Sequence, residues 1–220
     1  MRRVGGTDLE REKRLAAKAA AALVEDGMAV GLGTGSTAAL FVAALGARRL
    51  DIRCVATSPA TEQAARAAGL AVESFVGSAA LARLDIAVDG ADQVTPDRWL
   101  VKGGGGAHTR EKIVAAAARV FVVIVSSDKF VEAIRPPVPL ELLEYGLAAT
   151  LGAFDGNVVL RDASRTPDGG VIADWVGAVE SPAALAELLA GTPGVFEHGL
   201  FPPSLVSRVL AGRGEDVEEL

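Results

Sequence analysis

Met28-Ala29-Val30-Gly31-Leu32-Gly33-Thr34-Gly35-Ser36-Thr37-Ala38-Ala39-Leu40-Phe41-Val42 decides the fold. A short apolar run meets two spaced glycines and two hydroxyl residues, then passes into an apolar helix. Strand, glycine loop and helix in that order form the opening unit of a parallel α/β layer. Before it, Asp8 can cap a helix whose apolar positions Leu15, Ala19, Ala22 and Leu23 recur at helical spacing until Gly27. After it the alternation repeats, with strands expected at Ile52 to Ala56, Ala71 to Phe75, Leu84 to Val88 and Val120 to Val125. Helices are expected near Thr61 to Ala68 and Thr109 to Ala118. The unbroken apolar run Val120-Phe121-Val122-Val123-Ile124-Val125 suits a central strand buried on both sides.

The texture changes after Lys129, where Pro136, Pro137 and Pro139 interrupt the pattern. Beyond them the sequence predicts strands at Asn157 to Leu160 and Val171 to Val176, a turn at Thr166 to Gly170 and a helix from Ser181-Pro182 to Ala190. Leu205 to Leu210 is ambiguous by period, and the acidic Glu215 to Leu220 reads as a frayed tail. The expected architecture is α/β: a Rossmann-like open, mostly parallel sheet with helices on both faces (residues 1–134 and 205–220) plus a smaller α+β domain (residues 135–204).

With 220 residues, the chain has ample length for a buried core. No apolar run approaches the ~20 residues that span a bilayer, and Met1-Arg2-Arg3-Val4-Gly5-Gly6 lacks the apolar centre of a signal peptide. A cytoplasmic protein without membrane partners is expected. The formal net charge of −6, with basic residues scattered, argues against nucleic acid. The single cysteine, Cys54, excludes an internal disulfide and reads as a buried, inert thiol. Neither His108 nor His198 makes a metal-ligand spacing with it, so no metal is expected.

Three loops leave the carboxyl ends of predicted strands, where open α/β sheets bind ligands. Gly33 to Thr37 offers amides and hydroxyls at a helix start, chemistry suited to phosphate. It lacks the lysine of a P-loop and the third glycine of a dinucleotide site, and Ser36 or Thr37 could simply cap the helix. In Asp89-Gly90-Ala91-Asp92 two carboxylates share a short loop, fit to bind sugar hydroxyls or move protons if a cation such as Lys102 shares the space, though Asp-Gly also favours a plain Asx turn. Lys102-Gly103-Gly104-Gly105-Gly106 places a cation beside open backbone amides, a cradle for an anion. Glu111 follows in the first turn of a helix, where the dipole alone would favour it. A carboxylate beside an anion cradle is also what proton removal next to a carbonyl requires. Lys129, at the end of a strand, could reach phosphate in the same crevice.

These loops in this order resemble the ribose-5-phosphate isomerase A family over Glu12 to Leu210. The resemblance rests on Gly33-Thr34-Gly35-Ser36-Thr37, Asp89-Gly90-Ala91-Asp92, Lys102-Gly103-Gly104-Gly105 and Thr109-Arg110-Glu111-Lys112. Weaker matches are Thr57-Ser58, Thr61, Lys129, Pro137 to Glu141 and Asp168-Gly169-Gly170. It implies interconversion of ribose 5-phosphate and ribulose 5-phosphate in the non-oxidative pentose phosphate pathway, without a cofactor, by an oligomer, here a homodimer or homotetramer. By the same likeness Glu111 is the base, Asp89 assists ring opening, Asp92 holds hydroxyls and Lys102 stabilises the enediolate. Thr34, Gly35, Ser36, Thr37, Gly90, Ala91, Gly103, Gly104, Gly105 and Lys129 contact the substrate, with Lys13 helping. The chain departs from the family at Ser126-Ser127-Asp128-Lys129, where acidic and hydroxyl positions are exchanged, at His108, and after Glu141, where a usual proline is missing. Two alternatives differ in class. An amino-sugar-phosphate deaminase would release ammonia, and a sugar-phosphate sensor of a transcription regulator would need a helix-turn-helix for which only about ten residues precede the first helix.

Overall fold

The computed structural model describes residues 6–220, so the reading of Met1 to Gly5 lies outside the described residues. In chain order the elements are α1 (Gly6–Ala22), β1 (Ala29–Leu32), α2 (Ser36–Ala47), β2 (Arg53–Ala56), α3 (Pro59–Ala67), β3 (Ala71–Val72), β4 (Leu84–Asp89), β5 (Gln93–Val94) and β6 (Leu100–Val101). There follow α4 (His108–Ala117), β7 (Ala118–Ser126), β8 (Val138–Leu142), α5 (Leu147–Gly152), β9 (Val158–Leu160), β10 (Val171–Trp175), α6 (Pro182–Gly191), β11 (Val195–His198), β12 (Leu200–Phe201), β13 (Arg208–Arg213) and β14 (Asp216–Glu219). The described residues fall into two compact units, one of residues 6–91, 110–129 and 204–220, the other of 92–109 and 130–203.

The first unit carries a seven-stranded sheet in the order β14-β13-β7-β4-β1-β2-β3, parallel except for the antiparallel β14. Along each strand the side chains alternate between faces. Val30, Leu32, Ile86, Val88, Val122 and Ile124 face a core completed by α1, α2 and α3 residues such as Ala16, Ala20, Phe41, Leu45 and Ala65. Gly31 and Ala87 face α4 instead: a Cβ on Gly31 would lie 2.4 Å from Val114 Cγ1 and 2.9 Å from Ala87 Cβ. Helices therefore cover both faces, as expected, and α4 approaches because β1 has no side chain at residue 31. Strand order reverses at β1 and β4, the switch point at which loops diverge and leave a crevice.

The second unit holds an antiparallel sheet in the order β11-β8-β10-β9 and a three-stranded sheet β12-β6-β5. Its own core includes Val138, Leu140, Leu142, Phe154, Trp175, Leu185 and Leu189, with Phe154 and Trp175 packed edge to face at 6.0 Å. Ser181 caps α6 by accepting from Ala184 N–H, with Pro182 at the helix start.

Several expectations are corrected. Residues 92–109 group with the second unit, not the first, because the two-residue strand β6 pairs with Leu200 and Phe201 of β12. A strand runs through Pro139. Its carbonyl accepts from Gly199 N–H at 2.7 Å, and pairing with β11 stops at Leu140, so the missing N–H interrupts no bond there. The tail is not frayed: β14 pairs with β13, and Arg208–Glu219 and Arg213–Glu218 ion pairs cross that ladder. Helix α1 starts before Asp8 and ends at Ala22. Its buried face is Glu12, Ala16, Ala17, Ala20 and Ala21, whereas Ala22 is exposed and Leu15 and Ala19 are half-buried; just past its end Leu23 is half-buried and Val24 buried.

Candidate active site

In the first unit the expected residues gather at the carboxyl ends of β1, β4 and β7. Asp89 ends β4 and is 3% exposed. Thr34 N–H (3.1 Å) and Gly90 N–H (2.7 Å) both donate to its Oδ1, charge-assisted bonds that fix the carboxylate beside the β1–α2 loop. Only glycine fits at residue 33, since a Cβ there would lie 2.0 Å from the Asp89 carboxylate. The N-cap of α2 is Gly35 at φ +112°, with no side-chain cap, so neither Ser36 nor Thr37 serves as the cap. Ser36 is exposed and Thr37 buried.

The Thr34 hydroxyl is bonded within the protein. It lies 2.7 Å from Thr57 Oγ1, 2.9 Å from Ser58 Oγ and 3.1 Å from Thr61 Oγ1. The Thr57 and Thr61 hydroxyls donate to the carbonyls of Leu32 and Gly33. Ser58 also caps α3 by accepting from Thr61 N–H. This cluster ties the β1–α2 loop to the β2–α3 loop and fixes the Thr34 amide that holds Asp89.

Glu111 lies in the first turn of α4 and is 5% exposed. Helix α4 ends where β7 begins, at the amino edge of the sheet, and its Val114 packs over Gly31. Glu111, one turn earlier and ~4.5 Å further along the axis, is thereby carried towards the carboxyl edge where Asp89 sits. Lys129 ends a short 3-10 turn after β7 and pairs with Asp128 at 3.5 Å, while Lys13 pairs with Glu10 at 2.9 Å.

Glu12 escaped the sequence reading. This buried carboxylate accepts from Ser127 N–H (2.9 Å), the Ser127 hydroxyl (2.7 Å) and Gly214 N–H (2.8 Å). It thus joins the helix bearing Lys13 to the turn bearing Lys129. Burial works against its charge, but the bonds from Gly214 and Ser127 outweigh burial and hold the carboxyl below the usual glutamate value. The only hint in the sequence was its place at the edge of the resemblance.

In the second unit lie Asp92, Lys102 and the glycine loop. Asp92 Oδ2 accepts from Gly104 N–H at 2.9 Å, and Asp92 N–H donates to Val101 at 2.7 Å. Lys102 is 3% exposed, with its Nζ 5.5 Å from the centre of the Phe201 ring, a cation–π contact in a buried setting. Gly103 adopts φ +102°, and a Cβ there would strike the buried His108 ring. Residues 104 and 105 adopt no such φ. Thr109 and Thr166 hydroxyls donate to the two oxygens of buried Glu141, so the first turn of α4 and the 166–170 turn share one carboxylate. Arg161 donates to the carbonyls of Gly103 and Gly104, another partner the sequence did not reveal.

Among the described residues no group of three or more His, Cys, Asp or Glu could hold a metal ion, and no helix is long and apolar enough to cross a membrane. The residue set therefore offers buried carboxylates, one buried lysine and exposed helix-start amides.

Residues 53–216 match the family model described as ribose 5-phosphate isomerase A (phosphoriboisomerase A). The chain is 42% identical to the ribose-5-phosphate isomerase A of Natronomonas pharaonis, over 99% of both chains. The ribose 5-phosphate isomerase A structure from Methanocaldococcus jannaschii superposes with a TM-score of 0.87 at 34% identity, covering 94% of this chain and 97% of that one. A D-ribose-5-phosphate isomerase in complex with phospho-erythronic acid superposes with a TM-score of 0.89 at 33% identity, covering 96% and 98%. With a family model matched over most of its length and a 42% identical relative covered almost end to end, the chain belongs to the ribose 5-phosphate isomerase A family.

Proposed function

We infer that the chain is an aldose–ketose isomerase that interconverts D-ribose 5-phosphate and D-ribulose 5-phosphate, and we propose Glu111 as its base. Family membership carries the activity. The assignment of the base is supported by one observation above others: Glu111 is a buried carboxylate in the first turn of a helix that runs towards the edge where Asp89 ends β4. In this reading Asp89 passes a proton as the sugar ring opens. Glu111 takes the proton from C2, and the electron pair rests on the C1 oxygen as an enediolate; a proton then passes from the C2 hydroxyl to the C1 oxygen, and Glu111 returns its own proton to C1, leaving the ketone at C2. Lys102 supplies positive charge to that oxygen, and Asp92 holds hydroxyls with the glycine loop residues Gly103 to Gly105. Charges fixed before reaction cost little reorganisation as the oxyanion forms.

Gly35, Ser36, Thr37, Lys129 and Lys13 receive the phosphate, with Gly90 and Ala91 lining the sugar. Thr34 acts behind them through its amide on Asp89. Uncapped amides of α2 suit an anion.

Glu111→Gln is expected to lower kcat by about 10²–10⁴-fold while phospho-erythronic acid still binds, as read by calorimetry. The parent enzyme is expected to keep its turnover in a chelator, since no metal enters these steps. Near-normal turnover by Glu111→Gln would remove Glu111 as the base. The protein acts in this reading as a homodimer or homotetramer in the cytoplasm, and a light-scattering mass equal to one chain would exclude both assemblies.

A further inference from the structure

The Gly103–Gly104 peptide is gripped from both sides. Its carbonyl accepts from Arg161 Nη1 at 3.2 Å, and its N–H donates to Asp92 Oδ2 at 2.9 Å. In a trans peptide these two groups point in opposite directions, so a guanidinium on one side and a carboxylate on the other polarise a single amide. The next peptide is fixed as well. The Gly104 carbonyl accepts from the same Nη1 at 3.0 Å, which turns the Gly105 N–H away from Arg161.

Arg161 is itself held. It follows β9, its N–H donates to Ile172, and its Nε and Nη2 form a two-pronged pair with the Asp174 carboxylate on β10 (Nε to Oδ2, 2.9 Å). Four of its five N–H groups are thus spoken for, two by Asp174 and two by the loop, a pattern a lysine cannot reproduce. Side-chain exposures of 24% for Arg161 and 18% for Asp174 leave the pair largely out of solvent. Here the pair ends on loop carbonyls, where no strand or helix bond needs it.

We propose that Arg161, held by Asp174, is a positioning residue for isomerisation: it fixes the glycine loop so that Asp92 and the Gly105 N–H are set for the substrate. The proposal rests on the reading of Asp92 and the glycine loop as part of the active site. It adds a residue from the β9–β10 hairpin to the machinery without giving it contact with the sugar.

A double-mutant cycle on the full-length enzyme separates the two ideas. Arg161→Met and Asp92→Asn, singly and together, are assayed for kcat and KM with ribose 5-phosphate. Arg161→Met is expected to lower kcat about ten- to hundredfold, with KM changing less than kcat. The double variant is expected within about threefold of the worse single one, because both changes release the same peptide. Asp174→Asn and Arg161→Lys are expected to fall in the same direction, and they carry the test if Arg161→Met does not fold. Parental kinetics in Asp174→Asn and Arg161→Lys, or losses that multiply in the double variant, overturn the role of Arg161 while leaving Asp92 in place. Parental kinetics in Asp92→Asn overturn the reading of the site itself.

Discussion

Gly33 and Asp89 depend on each other at the scale of single residues. The β4 carboxylate occupies the space a side chain at residue 33 would need, and there it accepts from the Thr34 and Gly90 amides. Gly33→Ala forces the carboxylate to move and breaks those bonds, an overpacking cost of about 1–3 kcal/mol. Its kcat is expected to fall at least about tenfold, since a lost charge-assisted bond alone is of that size. Gly152→Ala, at a helix position with nothing within 4 Å of a new Cβ, is expected to match the parent in both melting temperature and kcat. Equal kinetics for Gly33→Ala would show that Asp89 tolerates displacement. The glycines were legible as a loop, but their separate duties were not. Gly31 makes room for α4, Gly33 for Asp89, and Gly35 starts α2 at positive φ.

At the scale of elements, α1 shows where sequence reading loses its grip. The helix itself was plain, but its buried face lies about one position from the expected stripe, on Ala16, Ala17, Ala20 and Ala21. Alanine on every side gives little contrast in size or hydrophobicity, so periodicity cannot set the phase. A polar residue sets it: Glu12 turns inward to meet Ser127 and Gly214. Because its folded pKa lies below the ordinary glutamate value, Glu12 contributes stability above that value and loses it as pH falls through the lower, folded one. Glu12→Gln must set an amide NH₂ against N–H donors. It is expected to cost about 1–3 kcal/mol near neutral pH and to flatten the fall of stability with acid. Urea unfolding at a series of pH values checks this, and an unchanged acid slope would rule it out.

At the largest scale, the parallel sheet organises the first unit. Cys54 lies in β2, fully buried, and burial together with the charge of Glu73 pushes its thiol up to about 12. Thiolate chemistry at neutral pH therefore waits for the sheet to open. Labelling of the native protein by a disulfide reagent is expected to run no faster than unfolding of the first unit, as followed by fluorescence. Rapid labelling in native buffer would mean that the strand opens locally. At the far edge β14 covers β13 with an exposed strand rich in charge, which discourages pairing with another chain.

The alternation from α1 through β4 and again at α4 and β7, the loop motifs, the buried thiol and the family were determined by the sequence alone, because each depends on local pattern: apolar runs, glycine punctuation and residues close together along the chain. Which residues meet across the fold was decided only by tertiary structure. The grouping of 92–109 with the second unit, the pairing of the acidic tail, the Glu12 bonds and the Arg161 grip on Gly103 and Gly104 join residues far apart in sequence. A two-residue strand or a lone charged side chain leaves no periodic trace, and its partner is chosen by where the surrounding layers bring the backbone.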